Sequence, residues 1–196
     1  MYNVGVFYKN GTGVAADMRE AVKWYTRAAE PEAGCAQAQY NLGSCFKHGT
    51  GVTADPHEAV RWYTRAAKAG HAKAQYTLGG CYEYGTGVAA DAHEAVKWYT
   101  RAAEAGYARA QCNLGLCYKK GTGVAADASA AAKWYTRAAE AGNAVAQCNL
   151  GICYASGKGV IRDFATARTW LTRAAAAGSA MAPGALARLD EQEAAL

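Results

Sequence analysis

The chain has 196 residues, of which 52% are hydrophobic and 19% charged, and its formal net charge is +5. This composition fits one globular domain with an apolar core, and the modest charge does not favour a nucleic-acid binder. No stretch approaches the roughly 18 uninterrupted apolar residues of a membrane-spanning helix, so direct membrane insertion is not expected.

The first predicted element is a helix over MYNVGVFYKN, which ends at the glycine loop GTGVAAD of residues 11–17. This loop looks like a phosphate-binding turn, but versions of it begin again at residues 49, 85, 121 and 157, and each follows a helical pattern. A dinucleotide fingerprint needs one glycine loop between a strand and a helix. The loops are therefore predicted to separate two helices of a hairpin, and no nucleotide or other cofactor is expected.

A second helix is predicted to begin after each loop. In the block 71–106 its N-cap is Asp91, because a carboxylate accepts the amide hydrogens of the first turn. Glu94, three residues later, completes the pattern of a capping box. The same pair recurs as Asp17/Glu20 and Asp55/Glu58.

The helix, loop and helix recur with steps of 38, 36, 36 and 36 residues between the first glycines of the loops. Periods of this length are typical of stacked helical hairpins. The longer first step reflects a two-residue insertion in EPEAGC at 30–35, and the segment after Gly178 predicts a last helix. We expect an all-α solenoid with a C-terminal capping helix at 179–196. Its five hairpins are predicted at about 1–35, 36–71, 72–107, 108–143 and 144–178.

The repeated pattern resembles the Sel-one-like repeat, a helical-hairpin relative of the tetratricopeptide repeat. In the third unit the matching residues are Leu78-Gly79, Tyr82, the G-x-G-V loop, an Asp, Trp98-Tyr99 and a closing Ala pair. The departures include Val4 in place of Leu and Trp170-Leu171 in place of the Trp-Tyr pair. The resemblance covers nearly the whole chain. It implies a right-handed α/α superhelical solenoid that acts as a non-catalytic scaffold or adaptor.

Seven cysteines raise the question of disulfides or a metal site. Equivalent positions on packed helices lie about 8–10 Å apart, which is too far for a disulfide, and no C-x-x-C motif occurs. The cysteines are therefore predicted to be small buried residues kept reduced, with Cys35 in the insertion as the most exposed thiol, and no metal site is expected. Two registers hold the other six: Cys45, Cys81, Cys117 and Cys153, and then Cys112 and Cys148.

The polar residues of the second helices are periodic, whereas an enzyme normally carries one asymmetric constellation, so no catalytic activity is expected. Trp98 and its equivalents are interpreted as packing residues. Two basic rows alternate with glutamates and predict a solvated face with ion pairs rather than a polyanion site. The rows are Lys23, Arg61, Lys97 and Lys133, and Arg27, Arg65, Arg101, Arg137 and Arg173.

The first helices vary from unit to unit within a constant frame. By resemblance to tetratricopeptide domains, the residue before the LG leucine faces a concave groove, where an asparagine amide can bond an extended peptide backbone. An equal alternative is that this asparagine forms a hydrogen bond to the neighbouring hairpin of its own chain. The basic side chains nearby favour an acidic protein or peptide partner. The implied partner-binding residues are Asn41, Thr77, Asn113, Asn149, Lys47, Lys73, Arg109, Lys119, Lys120, Tyr40, Tyr76 and Tyr84.

A second hypothesis is a structural subunit that docks into a larger assembly, such as a membrane complex, by its open N-terminal end or its convex face. The apolar residues Val4, Phe7 and Tyr8 motivate this hypothesis. An oligomer formed through the same end is a further alternative. The cysteine pattern and the absence of a signal peptide favour the cytoplasm. A targeting segment that precedes this sequence is the alternative.

Overall fold

The computed structural model describes residues 1–30 and 34–194, and over these residues the chain forms eleven α-helices and no strand. The insertion predicted at 30–35 lies partly outside the described residues, as do the last two residues of the predicted capping helix. The helices are α1 (Tyr2–Asn10), α2 (Met18–Ala29), α3 (Ala36–His48), α4 (Pro56–Lys68), α5 (Ala72–Tyr84), α6 (Ala92–Glu104), α7 (Ala108–Lys120), α8 (Ala128–Glu140), α9 (Ala144–Ser156), α10 (Phe164–Ala176) and α11 (Ala182–Ala194).

The chain divides into two compact units, Met1–Arg101 and Ala102–Leu196, and the division falls within α6. In the first unit α1 pairs with α2 and α3 with α4, and neighbouring hairpins pack through α2 on α3 and α4 on α5. In the second unit α7 pairs with α8 and α9 with α10, and α11 covers α10. The predicted all-α solenoid of helical hairpins is confirmed. No helix in the described ranges is both long and apolar enough to span a bilayer.

A glycine packed against a tyrosine ring joins the two helices of a hairpin. A Cβ atom on Gly79 of α5 would lie only 2.7 Å from Cδ1 and Cε1 of Tyr99 in α6. Tyr99 is 1% exposed, and burying a ring of this size stabilises the fold by roughly 2–3 kcal/mol. The repeated glycine therefore leaves space for the ring. The same contact recurs as Gly5–Tyr25, Gly43–Tyr63 and Gly115–Tyr135, and as Gly151–Leu171 in the last hairpin.

The glycine loops end the first helices and bring neighbouring hairpins into backbone contact. Gly49 closes α3 with a φ of 66°, and its amide donates to the carbonyl of Cys45. Two residues later, a Cβ atom on Gly51 would lie 2.3 Å from the carbonyl oxygen of Met18 in the preceding hairpin. The loop glycines thus have a packing role. At the matching positions, a Cβ atom on Gly87 or Gly159 would lie 2.0 Å from the carbonyl oxygen of Pro56 or Ala128.

The predicted aspartate N-caps are confirmed, but the reciprocal bond of the capping box is not formed. Oδ1 of Asp91 accepts the amides of His93 at 2.9 Å and Glu94 at 3.0 Å. The Asp91 amide donates to the carbonyl of Tyr82 at 2.9 Å, because the loop folds back on the first helix, so this amide does not need the Glu94 side chain. Glu94 instead pairs with Nζ of Lys97 at 2.5 Å.

A buried glutamine connects each hairpin to the second helix before it. Nε2 of Gln39 donates to the carbonyl of Ala29 at 3.2 Å. Carbonyls in the last turn of a helix lack a donor from the next turn, so this bond satisfies a helix end. The equivalent bonds are Gln75 to Ala67, Gln111 to Ala103 and Gln147 to Ala139.

Candidate functional site

The first unit has a polar cleft of about 200 Å³ at its first helices, which we call the first-unit cleft. The residues lining it include Tyr25 and Tyr40, and its polar lining is Lys9, Asn41, Ser44, Thr50 and Lys73. Three of the predicted partner-binding residues, Tyr40, Asn41 and Lys73, therefore lie together. Lys9 was not predicted, although its register, shared with Lys47 and Lys119, was a usable signal.

Tyr40 is the centre of a small network in this cleft. The Lys73 ammonium lies 5.0 Å from the centroid of the Tyr40 ring, and the His71 ring stacks on Tyr40 with centroids 5.1 Å apart. Nε2 of His71 is 2.8 Å from Oε1 of Gln37, and Nδ1 accepts the amide of Ala74. Burial lowers the pKa of His71, and the Lys73 ammonium acts in the same direction. The imidazole is therefore neutral near pH 7 and acts as the N-cap of α5.

Asn41 bonds within the fold. Its Nδ2 donates to the hydroxyl of Tyr2 in the preceding hairpin at 3.4 Å, which favours the interpretation that this asparagine joins neighbouring hairpins. Burial raises the pKa of Tyr25 to about 12, Tyr2 and Cys45 act in the same direction, and the Asn41 amide opposes them. The Tyr25 hydroxyl consequently keeps its proton at neutral pH.

The remaining predicted residues of the first unit do not all join the cleft. Thr77 donates its hydroxyl to the carbonyl of Lys73 at 2.8 Å, so it is engaged within α5. The Tyr76 ring lies 5.6 Å from the ring of Tyr99. Lys47 is exposed, and Tyr84 is 74% exposed at the end of α5.

In the second unit the basic residues Arg109, Lys119 and Lys120 are exposed and Asn113 is half-buried. Asn149 differs, because it is only 5% exposed and its amide therefore faces the interior. The asparagine register therefore holds both half-buried and buried residues. A separate groove of about 160 Å³ runs along α9, α10 and α11, and its lining includes Ile152, Leu171, Leu189, Arg188 and Gln192.

The basic rows of the second helices are engaged in two ways. Ion pairs three residues apart are confirmed for Lys23, Arg61 and Lys97 of the first row, as in Glu58–Arg61 at 3.1 Å, whereas an alanine stands three residues before Lys133. The second row stacks on tryptophan, which the sequence interpretation as ion pairs did not foresee. Its guanidinium carbons lie 4.4 to 5.0 Å from the centroids of the Trp rings three residues earlier, in Trp24–Arg27, Trp62–Arg65, Trp98–Arg101, Trp134–Arg137 and Trp170–Arg173.

The predicted burial of the cysteines is confirmed for six of them, and Cys35 is half-buried. Burial raises the pKa of Cys112 to about 11 and also raises the pKa of Cys45 and Cys153. Thiols that stay protonated at neutral pH are poor nucleophiles and poor metal ligands. Within residues 1–30 and 34–194, no group of three His, Cys, Asp or Glu side chains could hold a metal ion. The first-unit cleft, in contrast, offers cations and hydrogen-bond donors suited to an anionic group.

Comparison with known proteins identifies the repeat. The family model described as Sel1 repeat matches residues 1–30, 36–71, 72–107, 108–143 and 144–179. The comparison with curated protein sequences yields no match. Proteins with Sel1 repeats are generally protein–protein interaction scaffolds, and the fold is generally non-catalytic.

Solved structures agree with this match. A Sel1 repeat protein from Oxalobacter formigenes is 39% identical with a TM-score of 0.84, over 92% of this chain and 71% of that one. The protein c5321, a protective antigen of uropathogenic Escherichia coli with an SLR fold, is 37% identical with a TM-score of 0.88. The match covers 92% of this chain but only 38% of c5321. The immunity protein Pa5087 from Pseudomonas aeruginosa, at 20% identity and a TM-score of 0.57 over 91% of this chain and 68% of that one, shares the fold alone.

Proposed function

We propose, since the chain belongs to the Sel1 repeat family, that it is a non-catalytic scaffold or adaptor that binds a protein or peptide segment through its first helices. In the solenoids that the chain resembles, this side forms the concave groove. The proposal includes the cytoplasmic location expected from the cysteine pattern, which cell fractionation would test.

The observation that carries the proposal is where the repeats differ. Two exposed registers of the first helices change in size and charge from unit to unit, whereas the exposed arginine register of the second helices does not change. Exposed positions in the first turn of the second helices also vary, so what distinguishes the first-helix registers is that one member, Lys73, lines the first-unit cleft. These second-helix positions are Arg19, His57, His93, Ser129 and Ala165. The variable first-helix registers are Gln37, Lys73, Arg109 and Val145, and His48, Tyr84, Lys120 and Ser156.

The exposed first-helix cations suggest a partner of acidic character. Lys47 and Lys73 are exposed in the first unit, and Lys119 and Lys120 in the second. None of these four takes part in a salt bridge of the described residues. We include the predicted tyrosine and asparagine positions in the proposed surface, except that Asn149 is too buried to contact a partner in this conformation.

Affinity capture from an extract of the native source tests the proposal with two variants of equal charge loss. The first changes Lys47, Lys73, Lys119 and Lys120 to Ser, and the control changes Lys23, Arg61, Lys97 and Lys133 to Ser on the second helices. We expect a partner, identified by mass spectrometry, that the wild type and the control retain and the first variant loses. Partners retained by the first variant or lost equally by both would refute the assignment of the surface.

A second candidate is a structural subunit that docks through the first hairpin. Phe7 is 46% exposed and Val14 is 40% exposed on this hairpin, and Met1 is 63% exposed. Replacement of Phe7 by Ser would then release the chain from its assembly while partner capture by the first helices persists. An unchanged elution volume of the native complex would rule this candidate out.

A further inference from the structure

The buried tyrosines of the second helices differ in what their hydroxyls bond. In the third hairpin the hydroxyl of Tyr99 donates to Oε2 of Glu83 at 2.5 Å. In the first hairpin Tyr25 is 0% exposed, and no described atom accepts a hydrogen bond from its hydroxyl. A buried polar group without a partner costs roughly 1–3 kcal/mol. The Tyr25 hydroxyl is therefore a donor that lacks its acceptor.

The residue in the register of Glu83 explains the difference. Glu83 lies 16 residues before Tyr99, and the residue at the same separation from Tyr25 is Lys9. The third hairpin supplies its own carboxylate to the tyrosine, whereas the first hairpin has an ammonium there. Lys9 lines the first-unit cleft together with Tyr25, and it lies close enough to Cys45 to oppose the rise in the pKa of that thiol.

A second cation completes the arrangement. Lys73 also lines the cleft, and its ammonium lies over the ring of Tyr40 at 5.0 Å from the centroid. Ser44 and Thr50 add hydroxyls that can donate to an anion. The cleft therefore combines two cations and a buried hydroxyl donor within about 200 Å³, which is room for a carboxylate group of a peptide.

We propose that the first-unit cleft binds a peptide carboxylate, which accepts a hydrogen bond from the Tyr25 hydroxyl and pairs with the ammonium groups of Lys9 and Lys73. This inference rests on the proposed function and specifies the chemistry of the partner. The carboxylate comes from an acidic side chain or from a chain terminus.

The second unit provides an internal contrast. Tyr135 is also buried, its hydroxyl bonds no described atom, and Lys119 occupies the register of Lys9. However, Cys148 and Met181 stand relative to Tyr135 where Tyr40 and Lys73 stand relative to Tyr25. With one cation and no aromatic ring beside it, this position is expected to bind a carboxylate more weakly.

Three N-acetylated tetrapeptides test the proposal in titrations followed by NMR of the lysine and tyrosine side chains. One is N-acetyl-Ala-Ala-Glu-Ala-amide, one is N-acetyl-Ala-Ala-Gln-Ala with a free carboxylate, and the neutral control is N-acetyl-Ala-Ala-Gln-Ala-amide. We expect a dissociation constant of about 1 mM for at least one acid, at least about tenfold tighter than for the neutral control. The acid that binds better identifies the source of the carboxylate. The signals of Tyr25, Lys9 and Lys73 are expected to shift together.

The variant Lys9→Glu is the decisive control, because its carboxylate should satisfy the Tyr25 hydroxyl as Glu83 satisfies Tyr99. It is expected to fold and to bind the acids at least about tenfold more weakly. Lys133→Glu, the same change of charge at an exposed second-helix residue outside the proposed surface, should bind like the wild type. Tyr25→Phe keeps the ring in the core and should also weaken binding.

Equal shifts from the neutral peptide, or undiminished binding by Lys9→Glu, would overturn the proposal. The capture experiment separates this result from failure of the scaffold function. Partner loss in the first-helix variant without carboxylate binding would overturn the cleft assignment alone. Carboxylate binding at Tyr25 without such partner loss would support the cleft and refute the assigned scaffold surface.

Discussion

Two adjacent glycines in α5 allow a direct test of the packing within a hairpin. A Cβ atom on Gly79 would lie 2.7 Å from two carbons of the Tyr99 ring and 3.2 Å from the carbonyl oxygen of Ala95. A Cβ atom on Gly80 would meet only the Tyr99 hydroxyl, at an ordinary 3.7 Å. Because both glycines are helical, replacement by Ala has the same effect on helix propensity, and only the steric effect differs.

The magnitude follows from these two contributions. Replacement of a glycine inside a helix by Ala stabilises by roughly 0.5–1 kcal/mol, and overpacking a tight core costs about 1–3 kcal/mol. We expect Gly80→Ala to raise the free energy of unfolding by about 0.5–1 kcal/mol. Gly79→Ala should lower it by about 1–2 kcal/mol, because the ring of Tyr99, which is 1% exposed, has little room to move.

Urea denaturation followed by circular dichroism measures both variants against the wild type. The slopes must agree with the wild type, because a changed slope would mean that the repeats no longer unfold together. The difference between the two variants removes the propensity contribution and reports the steric cost alone. Equal midpoint shifts for both variants would refute the conclusion that the glycine leaves space for the tyrosine ring.

Three further predictions concern the loops, the helix caps and the thiols. Gly87→Ala and Gly13→Ala both force Ala into a left-handed backbone, but a Cβ atom on Gly13 meets no described atom within 4 Å. In urea denaturation, Gly87→Ala should therefore lower the free energy of unfolding by at least about 1–2 kcal/mol more than Gly13→Ala. Asp91→Ala should lower the free energy of unfolding by about 1 kcal/mol, and Glu94→Ala should lower it by at most about 0.5 kcal/mol. A double-mutant cycle should show no coupling between the two side chains. Burial raises the pKa of Cys112 from 9.0 to about 11, so between these pH values the thiol is ionised in the unfolded chain but protonated in the folded chain. The free energy of unfolding therefore falls as the pH rises from 9.0 to about 11. Thermal melts should therefore show a smaller loss of stability between these pH values for Cys112→Ala than for the wild type.

The fold could be predicted because its signals are local and repeated. A loop glycine such as Gly49 ends a helix by its own backbone conformation, and Asp91 caps the next helix with its own side chain. The LG glycine and the tyrosine also recur at constant separation, and their contact repeats in the first four hairpins. Five copies of each signal make the pattern much stronger than any single motif.

The details that escaped prediction depend on contacts between segments that are distant in sequence. The amide of Asp91 bonds Tyr82, so the Glu94 side chain is released to pair with Lys97. Asn149 has the same register as Asn41, yet Asn149 is 5% exposed whereas Asn41 is half-buried and lines a cleft. Register alone does not specify what covers a side chain, because the neighbouring residues differ from unit to unit.

Repetition makes a departure within the constant frame informative. The first four hairpins each place a buried tyrosine of the second helix against the first helix, but they differ in the residue 16 positions before it, which is a glutamate in the third hairpin and a lysine in the others. Glu83 satisfies Tyr99 from within the chain, whereas Lys9 leaves Tyr25 without an acceptor beside a second cation, Lys73. The first hairpin keeps the buried tyrosine but has a lysine where the third hairpin has a glutamate. This favours a hydrogen-bond acceptor for the tyrosine hydroxyl that another molecule supplies. The position to examine for a partner is therefore where a repeated internal bond is missing, and in the first unit this position is the cleft at Tyr25.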